Sequence, residues 1–91
     1  MQRELTICNK LGLHMRAASK LVQLAEGFDL EVVLHYQGQS ADAKSLLEVL
    51  QLAGTNGTPI TIEAKGDAAD EEAEALELVS QLFLNRFDEP E

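Results

Sequence analysis

Hydrophobic and polar residues alternate in three stretches of the chain, with the period of two that is typical of a strand burying one of its faces. These stretches are residues 4–7, 30–36 and 60–64. In the second of them, the side chains predicted to share one side are Leu30, Val32, Leu34 and Tyr36. Gly38 marks a turn after this strand, so residues 39–41 are predicted to return as a short strand.

Other stretches place apolar residues three and four positions apart, which is the spacing of one face of a helix. The first helix is predicted to end at Gly27, and its apolar face consists of Ala18, Leu21, Val22 and Ala25. A short second helix is predicted over residues 46–52. Ser45 and Glu48 have the spacing of a capping box at its beginning, and Gly54 is predicted to end it.

The last helix is predicted to begin at residues 66–67, and its first turns carry the acidic side chains that a helix N-terminus favours. Its apolar face includes Leu76, Val79, Leu82 and Phe83. We expect Phe87 to hold the end of the chain in place and residues 88–91 to form a solvated tail. The resulting order, β-α-β-β-α-β-α, predicts a two-layer α+β sandwich in a single domain, residues 1–91. The pattern alone leaves a ferredoxin-like βαββαβ arrangement open.

The composition argues against several classes of binding partner and binding site. With a formal net charge of −9, the chain is not expected to bind nucleic acid or an anionic membrane surface. No apolar run reaches the ~20 residues of a membrane span and no signal-peptide pattern opens the sequence, so we expect a cytoplasmic protein, acting as a monomer. The lone Cys8 is interpreted as a small apolar residue at a strand end. His14 and His35 have no third ligand at a suitable spacing, so we expect neither a metal ion nor another cofactor.

Candidate chemistry concentrates in residues 9–18. Asn9 and Gly12 predict a turn, and His14 is placed where this turn becomes the first helix. The N–H groups of a first helical turn have no partners within the helix and carry partial positive charge, so they form an anion site. Arg16 adds a full positive charge two residues further on. Both features disfavour a protonated imidazolium, so we expect a neutral ring that can act as a nucleophile toward phosphorus.

Two segments resemble the signatures of a known family. The segment Gly12-Leu13-His14-Met15-Arg16-Ala17-Ala18-Ser19 resembles the active-site signature of the HPr family, the histidine-containing phosphocarriers of the bacterial phosphotransferase system. The segment Lys44-Ser45-Leu46-Leu47 resembles a second signature of that family, at its usual distance downstream. The resemblance extends from Arg3 to Phe87, and it implies a four-stranded antiparallel sheet with three helices on one face.

The resemblance also implies a function and the residues that carry it. The implied protein is a carrier and not an enzyme: His14 takes a phosphoryl group on Nδ1, as pros-phosphohistidine, from enzyme I charged by phosphoenolpyruvate. It then gives the group to a histidine of an enzyme IIA-type acceptor. Arg16 and the backbone N–H groups of Arg16 and Ala17 hold the phosphoryl group. Met15 and Ala17 stand where the family usually has a small residue and proline, and we expect Met15 to affect partner docking more than the chemistry.

Two further segments bear on the branch of the phosphotransferase system. Residues 27–29 and 87–89 are similar to NPr, the carrier of the nitrogen-related branch. Sugar-branch carriers often have lysines around the docking helices, where this chain has Gln23, Glu26 and Glu48. An acidic face suits different acceptors, so the sequence favours an NPr-like or general regulatory carrier over dedicated sugar uptake.

Ser45 has a structural and a regulatory interpretation, which do not exclude each other. It is predicted to cap the second helix. In many HPr relatives the matching serine is phosphorylated by a dedicated kinase, so the resemblance implies a serine kinase, and a phosphatase, as further partners. A phosphate there would repel an acidic partner at the neighbouring docking face.

Three leucines on so short a helix cannot all face the core, because consecutive residues lie ~100° apart around its axis. We therefore predict an apolar patch for docking partners beside His14. Its candidate residues are Leu11, Met15, Leu46, Leu47 and Leu50.

Two other functions remain open from the residues alone. One is a docking adaptor of the same fold, which binds a regulator through the helical patch and leaves His14 unphosphorylated. The other is a ferredoxin-like regulator that binds a small molecule, but the sequence offers no polar cluster for such a ligand. Labelling from phosphoenolpyruvate through enzyme I separates a carrier from both.

Overall fold

The computed structural model describes residues 1–90, in which four strands form one sheet and three α-helices pack with it. The strands are β1 (Gln2–Thr6), β2 (Glu31–Tyr36), β3 (Gln39–Asp42) and β4 (Pro59–Lys65). The helices are α1 (Met15–Glu26), α2 (Leu46–Leu52) and α3 (Ala69–Leu84), and a 3₁₀ turn (Arg86–Asp88) follows them. Among the described residues, no helix has both the length and the apolar character needed to cross a membrane.

The sheet is antiparallel throughout, with the strand order β1-β4-β2-β3. Leu34 at its centre lies opposite Ile62 on β4 and Ala41 on β3. The buried residues of β2 and β4 alternate with more exposed ones; they are Val32, Leu34, Tyr36, Ile60, Ile62 and Ala64. The hydrophobic residues of the alternating pattern thus lie on the face of the sheet that packs against the core, and the polar residues lie on the face toward solvent. The predicted α+β fold, with its four antiparallel strands and three helices, is confirmed.

The core is mostly aliphatic, and its aromatic members are Tyr36 of β2 and the pair Phe83 and Phe87 near the end of α3. The side chains that α1 and α3 bury in it are Ala17, Ala18, Leu21, Ala25, Ala75, Leu76, Val79 and Phe83. Phe83 packs against Phe87, with their ring centroids 4.8 Å apart. Phe87 is fully buried, which confirms that it holds the end of the chain against the body of the protein. The chain that follows Phe87 is therefore fixed close to the beginning of α1.

The ends of α2 differ in part from the prediction. The Ser45 side chain accepts a hydrogen bond from the Glu48 N–H at 3.4 Å, as an N-cap should. The reciprocal half of a capping box is missing, because the Glu48 carboxylate accepts from the Asp42 N–H instead, at 3.2 Å. At the other end the left-handed residue is Ala53, with φ of 54°, and not Gly54.

Gly54 is needed for a different reason, which is close packing. A Cβ on this residue would lie 2.7 Å from Cδ1 of Ile7 and 3.0 Å from Cδ1 of Leu13. Its carbonyl oxygen accepts the Leu13 N–H at 3.0 Å. Gly54 thus lets the chain after α2 lie directly against the loop before α1.

The third helix begins later than predicted. Its first residue is Ala69, and the N-cap, Ala68, has no side-chain hydrogen bond. Gly66 and Asp67 lie outside the helix because β4 continues to Lys65. The Gly66 N–H donates to the carboxylate of Glu72 at 2.8 Å, so an acidic residue of the first turns closes the connection from β4.

We predict that Gly12→Ala destabilises the fold more than Gly57→Ala does. The two glycines have φ of +68° and +85°, so alanine costs ~1–2 kcal/mol at either position. At Gly12 the new Cβ would lie 2.3 Å from the Gly54 carbonyl oxygen, whereas at Gly57 it would meet nothing within 4 Å. Overpacking adds roughly 1–3 kcal/mol. Urea denaturation of both variants measures the difference, and equal losses would contradict the close approach.

Candidate functional site

The loop between β1 and α1 is fixed by hydrogen bonds to its own residues and to the segment after α2. Asn9 is fully buried, and its Nδ2 donates to the Gly12 carbonyl oxygen at 2.7 Å. The Asn56 side chain donates to the Asn9 carbonyl at 3.0 Å, and the Gly57 N–H donates to the Ile7 carbonyl at 2.7 Å. These bonds determine where the loop delivers the chain to α1.

His14 is the residue at which α1 begins. It is the N-cap, with extended backbone (φ −79°, ψ 178°), and its carbonyl accepts the Ala18 N–H at 2.8 Å. Its Nδ1 accepts a hydrogen bond from the Arg16 N–H at 3.2 Å. The predicted position of His14 at the helix start is confirmed, and the ring itself serves as the capping group.

The chain terminus supplies a second partner to His14, contrary to the predicted solvated tail. One carboxylate oxygen of Glu89, Oε2, forms a hydrogen bond with Nε2 of His14. The other, Oε1, accepts from Asn9 Nδ2 at 2.9 Å. Only 9% of the Glu89 side chain is exposed. The prediction of a solvated tail was wrong for Glu89, because the 3₁₀ turn after α3 directs its side chain toward His14. Asp88 is exposed, as predicted. Glu91 lies outside the described residues.

The charge of Glu89 is maintained by its partners. Burial alone would raise the pKa of this carboxyl, but hydrogen bonds from Asn9 and His14 and the positive charge of Arg16 hold the pKa below its ordinary value of 4.5. Glu89 is therefore a carboxylate at neutral pH, and it presents an acceptor to each of its two neighbours.

The hydrogen bonds of His14 assign its tautomer. Nδ1 accepts a hydrogen from an amide, so it carries a lone pair, and Nε2 faces a carboxylate, so it carries the proton. In this tautomer the lone pair of Nδ1 is directed at the first turn of α1. The neutral ring expected from the sequence stays a prediction, and Glu89 is a partner that the sequence pattern did not reveal.

The surroundings of Nδ1 suit an anion. The N–H groups of Met15, Arg16 and Ala17 are the first three of α1 and have no carbonyl partner within the helix. The Arg16 side chain lines an open hollow of about 450 Å³ together with His14 and Glu89. Its guanidinium carries a positive charge that lowers the pKa of Glu89, and a guanidinium is a group that pairs well with phosphate.

The hydrophobic side chains around His14 divide into two groups. Leu11 and Met15 line the same hollow, and they are 69% and 59% exposed. On α2, Leu47 is 67% exposed, whereas Leu46 and Leu50 are half-buried and pack against the core. The prediction that the three leucines cannot all face inward is confirmed. α2 packs against α1, but Leu47 does not line the hollow that holds His14.

The remaining candidates have local partners. His35 lies on the solvent side of β2, and its ring bonds to Ser40 at 3.2 Å and to Glu63 at 2.9 Å. The hydrogen bond from His35 lowers the pKa of Glu63. Cys8 is a free thiol near the end of β1 and donates to the Phe83 carbonyl at 2.9 Å. No cluster of three His, Cys, Asp or Glu side chains suited to a metal ion occurs in the part of the chain that the structure describes.

The sequence pattern does not reveal the contacts of Glu89 or of the Asn9 side chain. It marks Asn9 as a turn residue, and Glu89 as part of a polar ending that is similar to NPr. One signal was available: a carboxylate two residues after an anchored Phe87 cannot move far from the site at which Phe87 is buried.

Comparisons with known proteins agree with this geometry. The family model described as the phosphorylation site of the HPr component of the phosphotransferase system matches residues 1–83. The phosphocarrier protein HPr of Cupriavidus necator is 44% identical over 91 residues, which cover 100% of this chain and 99% of the relative. The phosphocarrier protein NPr of Shewanella violacea is also 44% identical, over 98% of this chain and 94% of its own. A crystal structure of HPr from Thermoanaerobacter tengcongensis superposes with a TM-score of 0.91 at 28% identity, covering 100% and 99% of the two chains.

We predict that Glu89→Gln lowers stability at neutral pH and that the loss disappears in acid. The pKa of Glu89 is lowered in the folded protein, so its contribution is present above its ordinary value of 4.5 and is lost as the pH falls through the folded-state pKa. Urea denaturation of the wild type and the variant between pH 3 and pH 7 measures the gap. Asp88→Asn, a change at the neighbouring exposed carboxylate, is the control. A gap that does not depend on pH would contradict the assignment.

Proposed function

The chain belongs to the HPr family of phosphocarrier proteins, and from this premise we propose that Nδ1 of His14 is the atom that carries the phosphoryl group. The observation that supports the proposal best is the unlike pair of partners on the ring. Nδ1 faces amide hydrogens that a phosphoryl oxygen can accept, while Nε2 is occupied by Glu89. The protein is a phosphocarrier of the phosphotransferase system, and it relays a group without being consumed or transforming it.

The transfer needs no cofactor and balances within the two proteins. The Nδ1 lone pair attacks the phosphorus of a phosphohistidine on the donor. The N–P bond of the donor breaks, and its electron pair returns to the ring nitrogen of the donor. His14 keeps its Nε2 proton during the step. The outward transfer is the same step in reverse, with an acceptor histidine in place of the donor.

The first turn of α1 stabilises the carried group. The N–H of Arg16, which His14 now occupies, and the N–H of Ala17 donate to phosphoryl oxygens, and the Arg16 guanidinium adds a full positive charge. A dipole contribution of ~0.3–1 kcal/mol at an exposed site is modest. Modest stabilisation suits a carrier, because a deeply bound phosphoryl group would be released slowly.

The partners we propose are enzyme I as donor and enzyme IIA-type proteins as acceptors. Both must bring a histidine to the exposed side of the His14 ring. The exposed side chains of Met15 on α1 and Leu47 on α2 offer apolar contact area, next to the half-buried Leu46 and Leu50. Small interfaces are typical of transient complexes. Such exchange would take place in the cytoplasm, with the carrier as a monomer.

Ser45 is proposed as a second, regulatory phosphorylation site. It is only half-buried, and its hydroxyl already accepts a hydrogen bond from a helix N–H. A phosphate at this N-cap would accept from the same donors and would place charge next to Leu46 and Leu47. A serine kinase and a phosphatase would then control docking without touching His14.

Incubation with labelled phosphoenolpyruvate and enzyme I is expected to phosphorylate the wild type to one group per chain, in acid-labile form. His14→Ala should abolish the label, and Arg16→Ala should slow its appearance. His35→Ala is the matched control, because His35 is also a solvent-side histidine paired with a glutamate, and it should be labelled normally. Absence of label on the wild type would favour the docking adaptor of the same fold.

Leu47→Glu is expected to reduce phosphoryl exchange by at least tenfold while leaving the fold intact, because it places a charge in the apolar docking area. The control is Leu84→Glu, a leucine with the similar exposure of 71% that lies at the end of α3, outside the α1–α2 pair. Stopped reactions with enzyme I give the rates. Equal rates for the two variants would remove Leu47 from the docking surface.

The same assay separates the two branches. Relatives named HPr and NPr match this chain with the same identity, so the acceptor has to be identified by transfer. The labelled carrier is offered to acceptors of the sugar and nitrogen branches in parallel. The acidic helix face of this chain favours faster transfer to the nitrogen-branch acceptor.

A further inference from the structure

We propose that Glu89 is a positioning residue of the carrier, which selects Nδ1 as the reacting atom and stabilises the positive charge that the His14 ring gains when it is phosphorylated. This inference rests on the proposed function of His14. It concerns a side chain outside both signatures of the family, in a segment that the sequence pattern predicted to be solvated.

The carboxylate of Glu89 is held from two directions. Asn9 Nδ2, which is buried, donates to Oε1 at 2.9 Å, and the same nitrogen donates to the Gly12 carbonyl. The backbone two residues earlier is anchored by the buried ring of Phe87 and by Lys20, whose Nζ donates to the Phe87 carbonyl at 2.6 Å. Among the described residues, Oε2 has one hydrogen-bond partner, the Nε2 of His14. An orienting carboxylate on a nucleophilic or basic histidine fixes its tautomer in the same way.

The His14 ring changes its charge during the proposed transfer. In the resting ring Nε2 carries a proton and Nδ1 a lone pair. When that lone pair forms the N–P bond, the ring acquires a positive charge, because no proton has left it. The Glu89 carboxylate lies on that proton and stabilises the charge. In the outward step the N–P electron pair returns to Nδ1, and the ring becomes neutral again with the proton still on Nε2.

The charged groups near this ring come from three elements. The backbone N–H of Arg16, on α1, faces Nδ1, and the positive charge of the Arg16 side chain lowers the pKa of Glu89. Lys10, in the loop after β1, lines a hollow together with Arg16 and Glu89. Lys20 of α1 binds the backbone of the 3₁₀ turn. Glu89 is the one carboxylate that the described residues place on His14.

Glutamine at this position cannot replace the carboxylate, although it has the same shape. Asn9 Nδ2 requires an acceptor, and so does the Nε2 proton, but glutamine offers one oxygen and one NH₂ group. If its oxygen faces Asn9, its NH₂ faces Nε2 and favours the tautomer with the proton on Nδ1, where the Arg16 N–H also points. Glu89→Gln therefore disturbs the tautomer without opening a cavity.

The test combines nitrogen NMR of the ring with transfer rates, on the full chain. In ¹⁵N-histidine-labelled wild type at a pH where the ring is neutral, the His14 shifts should show a proton predominantly on Nε2. In Glu89→Gln and Glu89→Ala the population with the proton on Nδ1 should rise. Phosphorylation by charged enzyme I should slow roughly 10–100-fold, which is the loss of affinity or activity at a metal-bound histidine when the partner that orients its ring is removed. Asp88→Asn removes the neighbouring, exposed carboxylate and should change neither.

The outcomes separate this inference from the proposed function. If the wild type accepts no phosphoryl group, the carrier role itself fails. If the wild type is labelled and both Glu89 variants keep the wild-type tautomer and rate, the role of Glu89 fails while the carrier role stands. A slower rate with an unchanged tautomer in both variants would also overturn it, because a merely structural effect of the tail would give that result.

Discussion

The candidate site depends on one arrangement, in which the two nitrogens of the His14 imidazole face opposite kinds of partner. A backbone amide donates to Nδ1 and a carboxylate accepts from Nε2. A hydrogen bond between neutral groups contributes ~0.5–1.5 kcal/mol net, and one to a charged group such as the Glu89 carboxylate ~1.5–3 kcal/mol. Together they permit only one tautomer and one ring orientation. In the proposed function, this arrangement makes a histidine at a helix start a nucleophile whose reacting atom lies beside the groups that bind its product.

Much of the packing serves to bring these partners together from distant parts of the sequence. The loop before α1 is held at Gly54 because neither Gly12 nor Gly54 has a side chain in the way. The end of the chain is held by Phe87, which is buried against Phe83 of α3. Asn9 connects the two, because its amide bonds to the loop carbonyl and to Glu89. The loop before α1 and the end of the chain thus meet at His14 through contacts with the core and with each other.

The sequence predicted the parts of the fold whose signal is periodic. The strands and helices could be predicted because each buries the apolar residues of one face. Phe87 could be predicted to hold the end of the chain because a large apolar side chain tends to be buried, and it is. Positions set by unusual backbone were not predicted. Ala53 and residues 86–88 adopt positive φ without being glycine, so no residue type marks those turns. The direction of the Glu89 side chain depends on the turn at residues 86–88. His14 and Arg16 could therefore be selected as candidates from the sequence, whereas Glu89 could not.

The placement of the carboxylate also bears on how a carrier can be fast in both directions. Stabilising the phosphorylated state through Arg16 and the amides lowers one barrier and raises the other, because those groups favour the loaded form over the empty one. The charge on the ring follows the same rule, since it is complete in the loaded form and only partial in the transition state of each step. A carboxylate on Nε2 therefore also favours loading over release. What the carboxylate adds is that the ring keeps its Nε2 proton throughout, so that neither direction of the proposed transfer has to wait for a proton to leave or return. Glu89 contacts Nε2, across the ring from Nδ1, so it can hold that proton without contacting the phosphoryl group.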